Sequence, residues 1–233
     1  MMMGAPFVYR HIGRSILRHS WDGPTGEAWL SACERDVYAG LRDARRREAW
    51  LFGRIVAKQL ILDAIRPPVG EGTIHPAAIQ IHSRDGLGRA IRPRVVLDGR
   101  LQHWFLSIAH SDQSVLVALS GAPGVCVGAD ITPVQAMSNG FQDMWLTAWE
   151  RRWLRKQGDQ KRSHLLSTIW AVKEAFYKAV NVGEQFVPSH VEVRTDALGG
   201  YSLRLKGAEL GGLSTVHVAE AGTEVSAIVT VAV

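Results

Sequence analysis

The chain has two cysteines in 233 residues. Cys33 and Cys126 stand far apart and fit no metal-ligand spacing, so neither a zinc cluster nor a disulfide framework organises the fold. A reduced chain is expected, with one disulfide as the open alternative. No apolar run approaches the ~18 residues that a membrane-spanning helix needs. Met1 to Arg10 lacks the basic-then-apolar order of a secretory signal. These absences give the expectation of a cytoplasmic protein with no membrane partner. The Met1-Met2-Met3 start is read as that of a separately expressed protein. Apolar residues are not scarce: 46% are hydrophobic and 21% charged, which excludes intrinsic disorder and fits a globular chain with a sizeable core.

The charge balance is basic, with 27 Lys plus Arg against 22 Asp plus Glu and a pI of about 9.5. That suits a phosphate-rich ligand or an acidic protein partner. A nucleic-acid binder is the rival from the same evidence, supported by one Arg-rich segment. No zinc spacing, helix-turn-helix signal or RNP-like aromatic pattern accompanies it.

Apolar periodicity predicts helix across Ala32 to Ile65, ended by Pro67 and Pro68. Residues 1 to 30 read as an irregular edge or an early strand pair. Strands are predicted at Ala77–His82, Phe105–Ile108, Val115–Leu119 and Val125–Ile131, with turns at Asp85–Gly88 and Gly121–Gly124. Helix is predicted at Asp143–Lys156 and His164–Val180. Four alternating segments follow, at Val191–Thr195, Tyr201–Leu205, Val216–Ala219 and Val225–Val233. Each half thus reads as helix followed by antiparallel strands, an α+β pattern. The expected architecture is a pair of similar lobes, 1–122 and 123–233, each a long helix on a small antiparallel sheet.

Four segments carry candidate chemistry. In Trp170-Ala171-Val172-Lys173-Glu174-Ala175-Phe176-Tyr177-Lys178, Trp170, Glu174 and Lys178 are four apart and share a helix face. Glu174 and Lys178 read either as a solvated ion pair or as part of a site. The large aromatic on the same face favours partial burial, where a carboxylate needs a partner or a metal. Asp130 ends the apolar strand Val125–Ile131, either capping a turn or presenting a carboxylate beside Gly128, which would admit a ligand closely. Asp130 with Glu174 could hold Mg²⁺, which takes few carboxylates and fills its shell from phosphate and water. His110, in Ser107-Ile108-Ala109-His110-Ser111, is either structural or a hydrogen-bond donor to phosphate. Arg47, Arg54 and Lys58 lie near one another by helical spacing, either a solvated basic face or a phosphate clamp that Arg89 could join.

In their order along the chain these segments resemble the larger, two-lobed 4′-phosphopantetheinyl transferases of the surfactin-synthetase type. Trp170 to Lys178 is similar to the family's Trp-x-x-Lys-Glu-Ala-x-x-Lys motif at every defined position. Val127–Ile131 resembles its Gly-x-Asp strand, Ser107–Ser111 its Asn-x-Ser-His-Ser turn, Trp50–Lys58 its Gly-Arg helix and Gly88-Arg89 its Gly-Lys-Pro turn. Glu150, in Thr147-Ala148-Trp149-Glu150, resembles the acid of a Phe-Thr-x-x-Glu segment. The resemblance covers about residues 45 to 180. Four positions depart from it: Thr132 replaces a second acid, Ser107 and Ala109 replace Asn and Ser, and Ala90 replaces a proline.

The resemblance implies a pseudo-twofold pair of lobes with the active site between them. It implies Mg²⁺-dependent transfer of phosphopantetheine from coenzyme A to a carrier-protein serine, releasing adenosine 3′,5′-bisphosphate. Asp130 and Glu174 would hold the metal, and Lys178 a phosphate oxygen and the leaving group. Glu174 or Glu150 would accept the serine proton. Arg47, Arg54, Lys58, Arg89, His110 and Ser111 would grip the coenzyme A phosphates. The partner is expected to be an acidic acyl or peptidyl carrier protein and the chain a monomer; by their position between motifs, the apolar residues around Met137 to Trp145 read either as part of the docking surface or as core. A coenzyme A-binding member with weakened catalysis is the alternative that Thr132 raises.

Overall fold

The computed structural model describes residues 6–21, 23–65, 74–180, 186–196 and 198–233. Pro67 and Pro68, the predicted helix stop, lie outside the described residues. The chain divides into two units, Met1–Pro123 and Gly124–Val233. Helices and small antiparallel sheets build both. No helix among the described residues is long and apolar enough to cross a membrane.

The first unit runs β1 (Val8–Gly13), α1 (Arg14–Ser20), α2 (Gly23–Glu27), α3 (Ala32–Ala39), α4 (Ala44–Ala64), β2 (Ile79–Arg84), β3 (Ala90–Leu97), β4 (Arg100–Leu101), β5 (Phe105–His110) and β6 (Ser114–Ser120). Its sheets are ordered β1-β6-β5 and β2-β3-β4. The helical region predicted over 32–65 is two helices. Asp43 starts the second by accepting from the Arg46 N–H at 2.7 Å, which satisfies one orphan donor of the new helix. Leu51 to Lys58 of α4 are buried all round, Arg54 and Lys58 included. Leu51, Phe52, Ile55, Val56 and Ile61 enter a core with Leu106, Val115 and Val117 from the sheet. The expected basic face is therefore not solvated along this stretch. The strand β3 escaped the sequence reading because Arg92, Pro93 and Arg94 break its alternation.

The second unit runs β7 (Val125–Pro133), α5 (Asn139–Trp145), α6 (Ala148–Leu154), α7 (Asp159–Val180), β8 (Val191–Thr195), β9 (Tyr201–Leu205), β10 (Ala208–Glu209), β11 (Ser214–Ala221) and β12 (Glu224–Ala232). Its sheets are ordered β11-β12-β7 and β10-β9-β8. Every pairing in both units is antiparallel among the described strands.

The two units repeat one plan, with β1, β6 and β5 corresponding to β7, β12 and β11. A buried cluster repeats with it. In the first unit the capping box Ser31–Glu34 opens α3, Glu34 pairs with Lys58 of α4, and its other oxygen accepts from the Ile81 N–H of β2. In the second the capping box Thr147–Glu150 opens α6, Glu150 pairs with Lys173 of α7 at 2.7 Å and accepts from the Val193 N–H of β8. Lys58 also donates to the Trp29 carbonyl, and Lys173 to that of Trp145. The sequence carries a trace of this repeat: Trp29-Leu30-Ser31-Ala32-Cys33-Glu34 against Trp145-Leu146-Thr147-Ala148-Trp149-Glu150. Those six residues are the signal that a search for repeats by composition overlooks.

Candidate active site

A missing side chain sets the geometry of the second unit. A Cβ on Gly128 would lie 1.9 Å from the Ala175 carbonyl oxygen and 2.5 Å from the Ala179 nitrogen. Only glycine lets β7 lie directly on the backbone of α7. The close approach that Gly128 permits is thus to a helix and not, as expected, to a ligand. Alternate strand residues share a face, so Asp130 and Thr132 follow Gly128 toward α7. Glu174 immediately precedes Ala175, and the contact at Gly128 delivers it beside Asp130.

Asp130 is buried, and both its oxygens are engaged. Lys178 Nζ donates to Oδ1 at 2.7 Å and Thr132 Oγ1 to Oδ2 at 3.0 Å. Glu174 is half-buried, and burial first and the Asp130 charge second push its carboxyl above the usual range, with Lys178 opposing. Two carboxylates and one ammonium leave this corner a net negative charge. A cavity of about 430 Å³ opens onto it, lined by Asp130, Thr132, Met137, Phe141, Trp170 and Glu174. Trp170 is held edge-on by Phe141, with ring centroids 4.8 Å apart. The predicted shared face of Trp170 and Glu174 is therefore a cavity wall.

The donor set fits Mg²⁺. Among the described residues no group of three or more His, Cys, Asp or Glu could hold a metal ion. Asp130 and Glu174 offer two hard carboxylates that repel each other without a cation between them, and Mg²⁺ takes few protein ligands beside water and phosphate oxygens.

Glu150 is not at this cavity. It is fully buried, with one oxygen taken by the Thr147 N–H and Lys173 and the other by the Val193 N–H. The expected role as proton acceptor gives way to a structural one, because no lone pair reaches a substrate. Lys58 changes likewise: it is fully buried on Glu34 and the Trp29 carbonyl, out of reach of a phosphate. Lys173, the first lysine of the Trp170–Lys178 segment, is the equivalent strut in the second unit.

The remaining cationic candidates belong to the first unit. Arg54 is buried, stacked over the Trp50 ring at 4.5 Å, and donates to Ser83 Oγ at 2.6 Å. Burial lowers its guanidinium pKa to about 10 despite the nearby Glu34. Glu34 thus faces two buried bases, Lys58 and Arg54, and Arg54 Nε has no hydrogen bond among the described residues. A cavity of about 120 Å³ lies against Arg54, lined also by Cys33, Val37, Ser83 and Arg84. In the second unit the positions of Cys33 and Val37 are Trp149 and Trp153, which stack 5.8 Å apart, and the position of Arg54 is Ile169. Arg47 is exposed over the Tyr38 ring at 5.6 Å, so it does not join Arg54 and Lys58. Arg89 is exposed and paired with Asp85 at 2.7 Å in the 85–89 turn. His110 is exposed at the end of β5. Ser111 Oγ accepts from the Gln113 and Ser114 N–H groups at 3.0 Å, closing the β5–β6 turn.

The family-model match falls within the second unit. No curated protein matches the chain. The ACPS–CoA complex of Chronobacterium ammoniagenes is similar at 20% identity over 46% of this chain and 96% of that one, with a TM-score of 0.37. A holo-(acyl-carrier-protein) synthase of Bacillus anthracis in complex with CoA (3′,5′-ADP) is similar at 23% identity over 46% and 95%, with a TM-score of 0.39. That of Neisseria meningitidis is similar at 21% over 46% and 96%, with a TM-score of 0.38. Residues 126–229, which hold Gly128, Asp130, Glu174 and Lys178, match the family model of the 4′-phosphopantetheinyl transferase superfamily.

Proposed function

We propose that the chain transfers the 4′-phosphopantetheine group of coenzyme A to a serine of an acidic acyl or peptidyl carrier protein, with Mg²⁺ at Asp130 and Glu174, and that it is a member of the phosphopantetheinyl transferase superfamily of the larger, two-unit type. The observation that carries this reading is that Asp130 and Glu174 line one cavity while Lys178 pairs with Asp130. The family match over the same residues supports it.

In the reaction the serine oxygen bonds to the β-phosphorus of coenzyme A. The bond from that phosphorus to the bridging oxygen breaks, and adenosine 3′,5′-bisphosphate departs with the electron pair. Such a transfer needs positioning and charge neutralisation more than covalent help. Asp130 and Glu174 would hold Mg²⁺, which would supply charge neutralisation when bound. Lys178, now spent on Asp130, donates to a phosphate oxygen and steadies the departing charge. Glu174 is the proton acceptor, directly or through a water. The apolar wall of Met137, Phe141 and Trp170 excludes water.

Arg54 is the strongest phosphate grip of the first unit. It is a buried cation sharing one acid with Lys58, and an anion in the adjoining cavity would balance it. Arg47, Arg89, His110 and Ser111 are proposed as further, separate phosphate contacts of the first unit. The test is mass spectrometry of several apo carriers incubated with coenzyme A, Mg²⁺ and the protein. A mass gain of one phosphopantetheine is expected, and none with Glu174→Ala. A folded Glu174→Ala that loads carriers at the parent rate overturns the assignment. Coenzyme A retention without any loading by the parent would point to the weakened binding module.

A further inference from the structure

The repeat of the two units extends to the candidate site itself, and there its charges are reversed. The hairpin registers coincide: β1 pairs Gly13 with Ser114 and Arg10 with Val117, as β7 pairs Pro133 with Glu224 and Asp130 with Ala227. Arg10 thus holds the strand position of Asp130. On the helices the struts Lys58 and Lys173 correspond, since each binds the glutamate of its capping box. Counting on from them, Gln59 holds the position of Glu174, and Asp63 that of Lys178.

The contacts agree with this correspondence. Arg10 Nη1 donates to Gln59 Oε1 at 3.3 Å, and its Nη2 pairs with Asp63. Asp130 likewise pairs with Lys178, and its charge acts on Glu174. Two acids and one base in the second unit leave a net negative charge. One acid and one base in the first leave none, with a neutral amide where the second carboxylate would stand. Ile12 replaces Thr132, so the orienting hydroxyl is gone as well.

We propose that Arg10, Gln59 and Asp63 form a charge-inverted counterpart of the cation site, in which a guanidinium takes the place of the Asp130 carboxylate. The first unit is thereby barred from binding a divalent ion, although its backbone frame is the one that presents Asp130 and Glu174. The occupancy expected of the second unit rests on the function proposed above; the inversion in the first does not.

The test counts bound Mn²⁺ by the loss of the free-ion electron paramagnetic resonance signal. The parent is expected to bind one ion per chain and Asp130→Asn/Glu174→Gln none. Arg10→Asp/Gln59→Glu/Asp63→Lys is expected to bind one more ion than the parent, and the five-site combination to keep that ion. If the parent binds none and the triple variant one, the proposed metal role of Asp130 and Glu174 fails while the inversion stands. A folded triple variant that binds no more Mn²⁺ than the parent overturns the inversion. A parent ion that survives Asp130→Asn/Glu174→Gln overturns the metal role of those two residues and leaves the inversion to be decided by the triple variant. Should the triple variant not fold, the reverse exchange decides. Asp130→Arg/Glu174→Gln/Lys178→Asp is expected to melt above Asp130→Arg alone, and a melting temperature no higher refutes the correspondence.

Discussion

Gly128→Ala tests the geometry most directly, because the added methyl has a single consequence that can be worked out. Its Cβ would sit 1.9 Å from the Ala175 carbonyl oxygen and 2.5 Å from the Ala179 nitrogen, whereas real contacts of a Cβ essentially never fall below 3.0 Å. Both neighbours are backbone atoms inside one helix, so neither can turn aside as a flexible side chain would. The helix must retreat from β7 by about 1 Å, an overpacking that costs roughly 1–3 kcal/mol or somewhat more. In a chain of this length that lowers the melting temperature by about 2–12 °C. The retreat moves Glu174 and Lys178 away from Asp130 together. A misplacement of about 1 Å at a reacting centre can cost ~100-fold in rate, so carrier loading should fall by that order even in the folded fraction. Circular dichroism melting and the mass-spectrometric loading assay measure the two effects. Gly86→Ala is the control, since nothing lies within 4 Å of its Cβ, and it should be silent in both. A Gly128→Ala protein with the parent melting temperature and loading rate would refute the argument that this contact builds the site.

Other outcomes follow from the buried pairs and the charges. Glu150→Ala leaves Lys173 fully buried without its acid and should cost about 3–5 kcal/mol, read by urea unfolding. The loading rate per folded molecule should persist, and its loss with stability intact would return Glu150 to the catalytic set. Glu174 has its pKa raised by folding, so the native state holds the extra proton between the unfolded value, near 4.5, and the raised one. Stability relative to Glu174→Gln should therefore fall as pH rises through that window and level off above it; a flat difference in melting temperature would contradict the raised value. Mn²⁺ binding should strengthen over the same window, because the ion competes with that proton.

The sequence carried most of the second unit. The 3.6-residue period of His164–Val180, the apolar strand at Val125–Ile131 and the alternation of the last strands are local patterns that burial rewards directly, and the structure keeps them with shifted ends. The one-face argument for Trp170 and Glu174 also holds, since helical spacing alone fixes it. Charged residues that fold inward are another matter. Arg54 and Lys58 look like a solvated face, because nothing within α4 announces that Glu34, 24 residues before Lys58 on another helix, will meet them. Glu150 looks like a base for the same reason: its partners Lys173 and Val193 are 23 and 43 residues away.

What the sequence by itself determined is which residues could do chemistry: two carboxylates, a lysine and a set of basic groups, on elements whose periods are written in their own segments. What only the tertiary structure decided is which of them are free for it. A buried charge must find its partner wherever the chain brings one, so Lys58, Lys173 and Glu150 become struts. The absence of a side chain at Gly128 lets a strand touch a helix, and that contact makes Asp130 and Glu174 neighbours. The same frame in the first unit presents Arg10, Gln59 and Asp63, a reversal that is invisible until strand register and helix position are read together.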